Sequence, residues 1–145
     1  MKIWIDADGC PVVKEAVRVA QEFEIPVVIV KNSSVELSMD EVEIITVESS
    51  RDAADFYIFT HMKKGDLVVT QDGGLSALVL SKNGVPIDQD GKILKKEEAD
   101  FLLHGRHVKK MERLKNKHYE KIKKRQKIDN QRFTNSLRNL LRTYA

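Results

Sequence analysis

Met1-Lys2-Ile3-Trp4-Ile5-Asp6-Ala7-Asp8-Gly9-Cys10-Pro11 is the stretch from which the fold can be read. Lys2 to Ile5 is a short apolar strand, and it ends abruptly in Asp6 and Asp8, two carboxylates that an apolar core would reject. They must face a solvent-open strand end. Pro11 stands where the first residue of a helix belongs, because its missing N–H is one of the donors a helix leaves unpaired. Strand, acidic elbow and helix thus follow one another within eleven residues. In an open α/β sheet that elbow lies at the carboxyl ends of the strands, where ligands bind.

The chain beyond it repeats the pattern. Val12 to Phe23 is amphipathic, with Val12, Val13, Ala16, Val17 and Ala20 on one face, which predicts a helix packed on the sheet. Pro26 to Val30 is a β-branched run of the kind found in strands buried on both faces. Lys31-Asn32-Ser33-Ser34 ends it, so Asn32 and Ser33 fall beside the acidic elbow if the crossover is right-handed. Ile44 to Val47 is a short strand. Ser49 to Asp55 opens a helix with Ser50 as the expected N-cap; Asp52 and Asp55 share one face, and Phe56, Ile58, Phe59 and Met62 supply the buried side. Gly65-Asp66 turns into the apolar strand Leu67 to Thr70, which again ends in a carboxylate, Asp72. The following helix begins at Gly73-Gly74, leaving backbone N–H groups open near that carboxylate.

Val85 to Ile87 reads as a short edge strand and Asp88 to Gly91 as a turn. Asp88 and Asp90 mimic the start of a calcium loop but lack its closing Glu. Lys95 to Arg106 is expected to be helical. Residues 106–125 continue as a very basic helix with Val108, Met111, Leu114 and Ile122 in a narrow stripe. Asp129 is expected to cap a final helix whose apolar face is Phe133, Leu137, Leu140 and Leu141.

Length and composition agree with this reading. A chain of 145 residues, 41% hydrophobic and 32% charged, supports one moderate core. The expected layout is an α/β domain over 1–105 and a basic helical extension over 106–145 packed on it. No apolar run approaches a membrane span, and acidic residues stand where a signal peptide would be apolar, so the expectation is a cytoplasmic protein with no membrane partner. The lone Cys10 excludes an internal disulfide and a cysteine-rich zinc site. Charge is divided unevenly: residues 1–91 carry 8 Lys and Arg against 16 Asp and Glu, whereas residues 92–145 carry 17 against 6. An acidic body joined to a basic tail suits a polyanionic substrate.

Asp6, Asp8, Asp52, Asp55 and Asp72 come from two strand ends and one helix start, all expected on one side of the sheet. Two carboxylates about 4 Å apart repel by roughly 4 kcal/mol at an effective dielectric of 20, so such a group requires a compensating cation. Oxygen-only ligands favour Mg²⁺ or Mn²⁺, which can bind phosphate oxygens and activate a water.

Ile5-Asp6-Ala7-Asp8-Gly9-Cys10-Pro11-Val12, Arg51-Asp52-Ala53-Ala54-Asp55 and Gly65-Asp66-Leu67-Val68-Val69-Thr70-Gln71-Asp72 resemble the YaiI/YqxD family of small bacterial proteins, and the likeness runs through nearly the whole chain, including Asp129…Phe133…Leu137. That family is grouped with the PIN-like domains, metal-dependent nucleases with a central parallel sheet. The resemblance implies a three-layer α/β domain with a mainly parallel sheet flanked by helices. Its metal ligands would be Asp6, Asp52, Asp55 and Asp72, with Asp8 a further ligand or a support to one. Two departures stand out. Gly73-Gly74-Leu75-Ser76 replaces the family's usual bulky residue, Pro, Leu and Ala, and the lysine-rich Lys115 to Lys127 replaces a segment that commonly contains glycine and proline.

The leading functional expectation is a metal-dependent nuclease, hydrolysing RNA more than DNA, with Asp6 and Asp72 central to catalysis. Asn32, Ser33, Ser50, Thr70, Lys121, Lys123 and Lys124 are the expected substrate contacts. A rival enzyme reading rests on Ile5-Asp6-Ala7-Asp8-Gly9, which also looks like the opening of haloacid-dehalogenase-type phosphatases, with Asp6 the nucleophile and Asp8 the general acid. A third reading is a non-catalytic RNA- or ribosome-binding protein with a vestigial acidic site. His104 and His107, three apart, lack a third ligand, and His61 and His118 are isolated. Cys10 is read as a packed thiol, and Trp4 and Tyr57 as core aromatics. An edge strand or the last helix offers a surface for a homodimer.

Overall fold

A computed structural model describes residues 1–32, 39, 42–50, 52–99 and 124–144. The first element is the expected strand, β1 (Ile3–Asp6), followed by α1 (Val13–Glu22), β2 (Val27–Asn32), β3 (Glu43–Val47), α2 (Ala53–His61), β4 (Leu67–Val69), α3 (Gly73–Ser81), β5 (Val85–Ile87) and α4 (Lys127–Tyr144). The five strands form one sheet in the order β3-β2-β1-β4-β5, every neighbouring pair parallel. The chain builds outward from β1 through β2 to β3, then crosses back to add β4 and β5 on the other side. The strand order therefore reverses between β1 and β4, and a crevice opens at their carboxyl ends.

Alternation along the strands divides the core into two halves. Ile3, Ile5, Val27, Ile29, Leu67, Val69 and Ile87 face one side, where they meet α1 through Val13, Ala16, Val17 and Ala20 and α4 through Phe133, Leu137 and Leu141. Trp4, Val28, Val30 and Val68 face the other, against Ala54 and Ile58 of α2, Met62, and Leu75 and Val79 of α3. This is the expected three-layer α/β arrangement, and α4 shares its core. No helix among the described residues is long and apolar enough to cross a membrane.

Several local expectations are corrected. Pro11 lies in a turn and α1 begins two residues later, at Val13. Phe56, assigned above to the buried side of α2, is 70% exposed. At about 100° per residue it sits some 200° from Ala54 and from Ile58, the two residues of α2 that are buried. Ser50 does not cap α2: the N-cap position is Asp52, with no side-chain capping bond, and Ser50 only accepts at its carbonyl from the Ala53 N–H at 3.4 Å. Asp129 does cap α4, but from inside its first turn, where Oδ2 accepts from the Gln126 N–H at 2.8 Å. The basic helix expected over 106–125 lies almost wholly outside the described residues; Lys124 and Arg125, at its end, are not helical. Of the helix expected over 95–106, residues 96–99 are helical and 100–106 lie outside the described residues.

Turn 88–91 anchors the last helix. Asp88 Oδ1 accepts from the N–H groups of Asp90 and Lys92, both at 2.9 Å, and Gly91 takes φ +84°, the left-handed region that glycine adopts without strain. A Cβ at Gly91 would stand 2.7 Å from Ser136 Cβ, because α4 packs directly on this backbone.

Candidate functional site

The crevice between β1 and β4 gathers carboxylates from three segments. Asp6 closes β1, in register with Val30 of β2. Thr70 follows β4, and its hydroxyl donates to Asp6 Oδ2 at 2.9 Å while accepting from the Asp72 N–H at 3.1 Å. One buried threonine thereby fixes the two strand ends to each other. Asp72 is the N-cap of α3, with Oδ1 accepting from the Leu75 N–H at 3.0 Å. Asp8 Oδ1 accepts from the Asn32 N–H at 3.2 Å, tying the first elbow to the end of β2. Gly9 turns that elbow at φ +70°.

These groups act on one another electrostatically. Burial pushes the Asp6 carboxyl up to about 6, with Asp8 and Asp72 adding to the rise and the Thr70 hydrogen bond opposing it. Asp55, on the first turn of α2, is pushed up to about 7, first by burial and then by the charges of Asp72 and Asp6, with a hydrogen bond between the Asp55 and Asp72 side chains and the charge of Asp52 adding to it. Asp6, Asp55 and Asp72 therefore form the centre, with Asp8 and Asp52 close enough to act on it. Burial and this crowding disfavour the charged form of the Asp55 carboxyl.

The other expected site residues scatter. Asn32 reaches the site through its backbone, bonded to Asp8. Ser50 is exposed ahead of α2. Lys124 is exposed, whereas Ser33, Lys121 and Lys123 lie outside the described residues. Cys10 is half-buried, and burial raises its thiol, so its position ahead of α1 does not make it a thiolate. Trp4 is core as expected; Tyr57 is half-buried and stacks on the exposed His61 ring at 3.9 Å.

Two residues take roles that the sequence did not signal. Asp66, 6% exposed, accepts from the Lys2 N–H, the Trp4 indole N–H and the Lys63 N–H at 2.9 to 3.0 Å. It lies at the amino ends of β1 and β4, at the opposite end of the strands from the crevice, and not after a strand as in a dehalogenase-type Gly-Asp pair. Arg125 donates to Asp90, Asn130 and the Gln89 carbonyl, clamping the 88–91 turn to the start of α4. Its only sequence mark is being the single arginine between Lys115 and Lys127.

The donor set suits a hard divalent cation: carboxylate oxygens and a threonine hydroxyl, with neither sulfur nor imidazole. Among the described residues, no three His, Cys, Asp or Glu side chains are arranged to hold an ion as they stand.

The profile of a family described as "Uncharacterized BCR, YaiI/YqxD family" matches residues 4–143. The chain belongs to the YaiI/YqxD family. A UPF0178 protein of Alkaliphilus oremlandii is 47% identical over 133 residues, covering 92% of this chain and 86% of that one. Another, from Natranaerobius thermophilus, is 38% identical over 141 residues, 97% of this chain and 96% of its own. No solved structure matches the chain. The span matched to the YaiI/YqxD family takes in all five aspartates, Thr70 and α4 up to residue 143.

Proposed function

We propose that this YaiI/YqxD protein is a cytoplasmic nuclease that hydrolyses phosphodiester bonds with Mg²⁺ or Mn²⁺, on RNA in preference to DNA. The observation that carries the reading is the convergence of Asp6, Asp55 and Asp72 at the reversal of strand order, crowded enough to raise two of their pKa values. A bound divalent cation would supply Lewis acidity toward phosphate oxygens and lower the pKa of a water.

The chain's own residues do the rest. Asp6 and Asp72 would hold the cation, and Asp55 would complete the oxygen set. Thr70 keeps Asp6 and the Asp72 backbone at a fixed separation. The Asp8 bond to Asn32 closes the side of the crevice toward β2. The basic excess of residues 92–145, including Lys121, Lys123 and Lys124, attracts the polyanion that the acidic crevice alone would repel.

The test is cleavage of single-stranded RNA and DNA with Mn²⁺ by the wild type and by Asp6→Asn/Asp72→Asn. Asn retains the capping acceptor at position 72, so the fold survives while cleavage is expected to vanish. Equal cleavage by both proteins removes the mechanism. Salt-sensitive binding with no cleavage by either would make the chain a nucleic-acid-binding protein.

A further inference from the structure

Next to the acidic crevice, over the carboxyl ends of β4 and β5, lies a second concavity of about 160 Å³. From its position and chemistry we infer that it is a nucleobase subsite, taking one unpaired base of a single-stranded substrate whose phosphate lies at Asp6 and Asp72. This inference rests on the proposed nuclease reading and specifies its substrate.

Position comes first. Thr70 belongs to both places: its hydroxyl donates to Asp6, and it also lines the concavity. Adjacent strands stand about 4.8 Å apart, so the two sites are displaced by one strand spacing, within the span of a sugar joining a phosphate to its base. Size comes second. Pockets for drug-sized ligands begin at about 300 Å³, and half that volume admits a single flat ring system.

Chemistry favours a base here over a phosphate. Pro86 and Leu94 provide apolar walls. The Asp88 carboxylate is engaged by the N–H groups of its own turn, and the Lys92 ammonium stands 3.6 Å from Glu98. Among the described lining residues the one cation, Lys92, is thus already paired, and the neighbouring aspartates repel an anion. A neutral ring with a polar edge meets complementary groups instead: the Gln71 amide at the rim, and the Ser76 hydroxyl, which donates to the Asp72 carbonyl and keeps its lone pairs for a base N–H. Gly73 leaves the mouth open, since a Cβ there would meet nothing within 4 Å. The apolar walls take the flat face that every base presents, while Gln71 and Ser76 meet its edge.

The experiment measures binding of labelled single-stranded pentanucleotides by the full chain in Ca²⁺, with an abasic site placed at each position in turn, alongside Mn²⁺-dependent cleavage of the same strands. One position is expected to show about tenfold weaker binding when its base is removed. In Gly73→Trp, whose side chain fills the mouth, that position should lose its distinction; Leu94→Ser, which removes a wall, gives a second measurement should the tryptophan variant not fold. Equal affinity for every abasic strand, with cleavage intact, overturns the subsite and leaves the nuclease reading standing. Absence of both binding and cleavage overturns the two together. A free mononucleotide competing as strongly as the strand would show a nucleotide site unconnected to the crevice and also refute the inference.

Discussion

Asp6→Asn should stabilise the metal-free protein at pH 8, although it removes a residue placed at the centre of the site. In the unfolded chain this carboxyl ionises near 3.8, and in the fold near 6, chiefly because burial disfavours its charge. Since the folded value lies above the unfolded one, Asp6 is neutral and harmless below about pH 4, and stability is lost as pH rises through about 6. At about 1.36 kcal/mol for each tenfold change in proton affinity, the full loss is about 3 kcal/mol. Partial exposure of the group reduces it to about 2 kcal/mol. Asparagine cannot ionise and still accepts from Thr70, so in EDTA at pH 8 its melting temperature should exceed the wild type's by about 5–8 °C, with no gain at pH 4. Comparing the variant with wild type at each pH cancels the titration of other groups. Mn²⁺ at a hundredfold over its dissociation constant adds about 2.7 kcal/mol to wild type alone, so the order of stability should equalise or invert. The reasoning is refuted if Asp6→Asn is less stable than wild type in EDTA at pH 8, or if its gain is the same at pH 4.

Four further outcomes follow from other parts of the molecule. Asp66→Ala strips a buried acceptor from the N–H groups of Lys2, Trp4 and Lys63 and should cost about 3 kcal/mol or more in urea unfolding, through donors left unpaired. Thr70→Val removes the hydroxyl that donates to Asp6, so the Asp6 carboxyl should rise further and the acidic limb of any Mn²⁺-dependent rate profile should move up by about one pH unit. Gly91→Ala combines a left-handed φ with a Cβ 2.7 Å from Ser136 and should destabilise by at least about 2 kcal/mol, read as a lower midpoint of thermal unfolding. Phe56→Ser, on the exposed side of α2, should change stability by no more than about 0.5 kcal/mol.

Much of the architecture could be read residue by residue because its causes are local. A β-branched run such as Val27 to Val30, or apolar residues repeating along α1, reflects backbone periodicity and side-chain sterics acting over a few neighbours. The aspartates could be found for a related reason: carboxylates placed immediately after apolar strands mark solvent-open ends. The limits were equally physical. Phe56 looks like core because hydrophobicity states a preference for burial, whereas the direction of a helix face depends on what packs against it. Asp66 and Asp72 flank the same strand and look alike in sequence. One became a buried clamp for donors that include Lys2 and Trp4 at the amino ends of β1 and β4; the other became part of the acidic crevice.

From the amino acids alone came an α/β protein whose strands end in acid, with a basic chain behind it. The folded molecule decided which ends meet. Thr70 and Asp6, 64 residues apart, touch because β4 crosses back to lie beside β1, and that pairing is a competition among all strands for neighbours, settled by the packing of two helical layers. Asp55 and Asp72 crowd each other for the same cause: α2 and α3 share one face of the sheet. Periodicity is a property of near neighbours in the chain, whereas the distance between two carboxylates belongs to the whole fold.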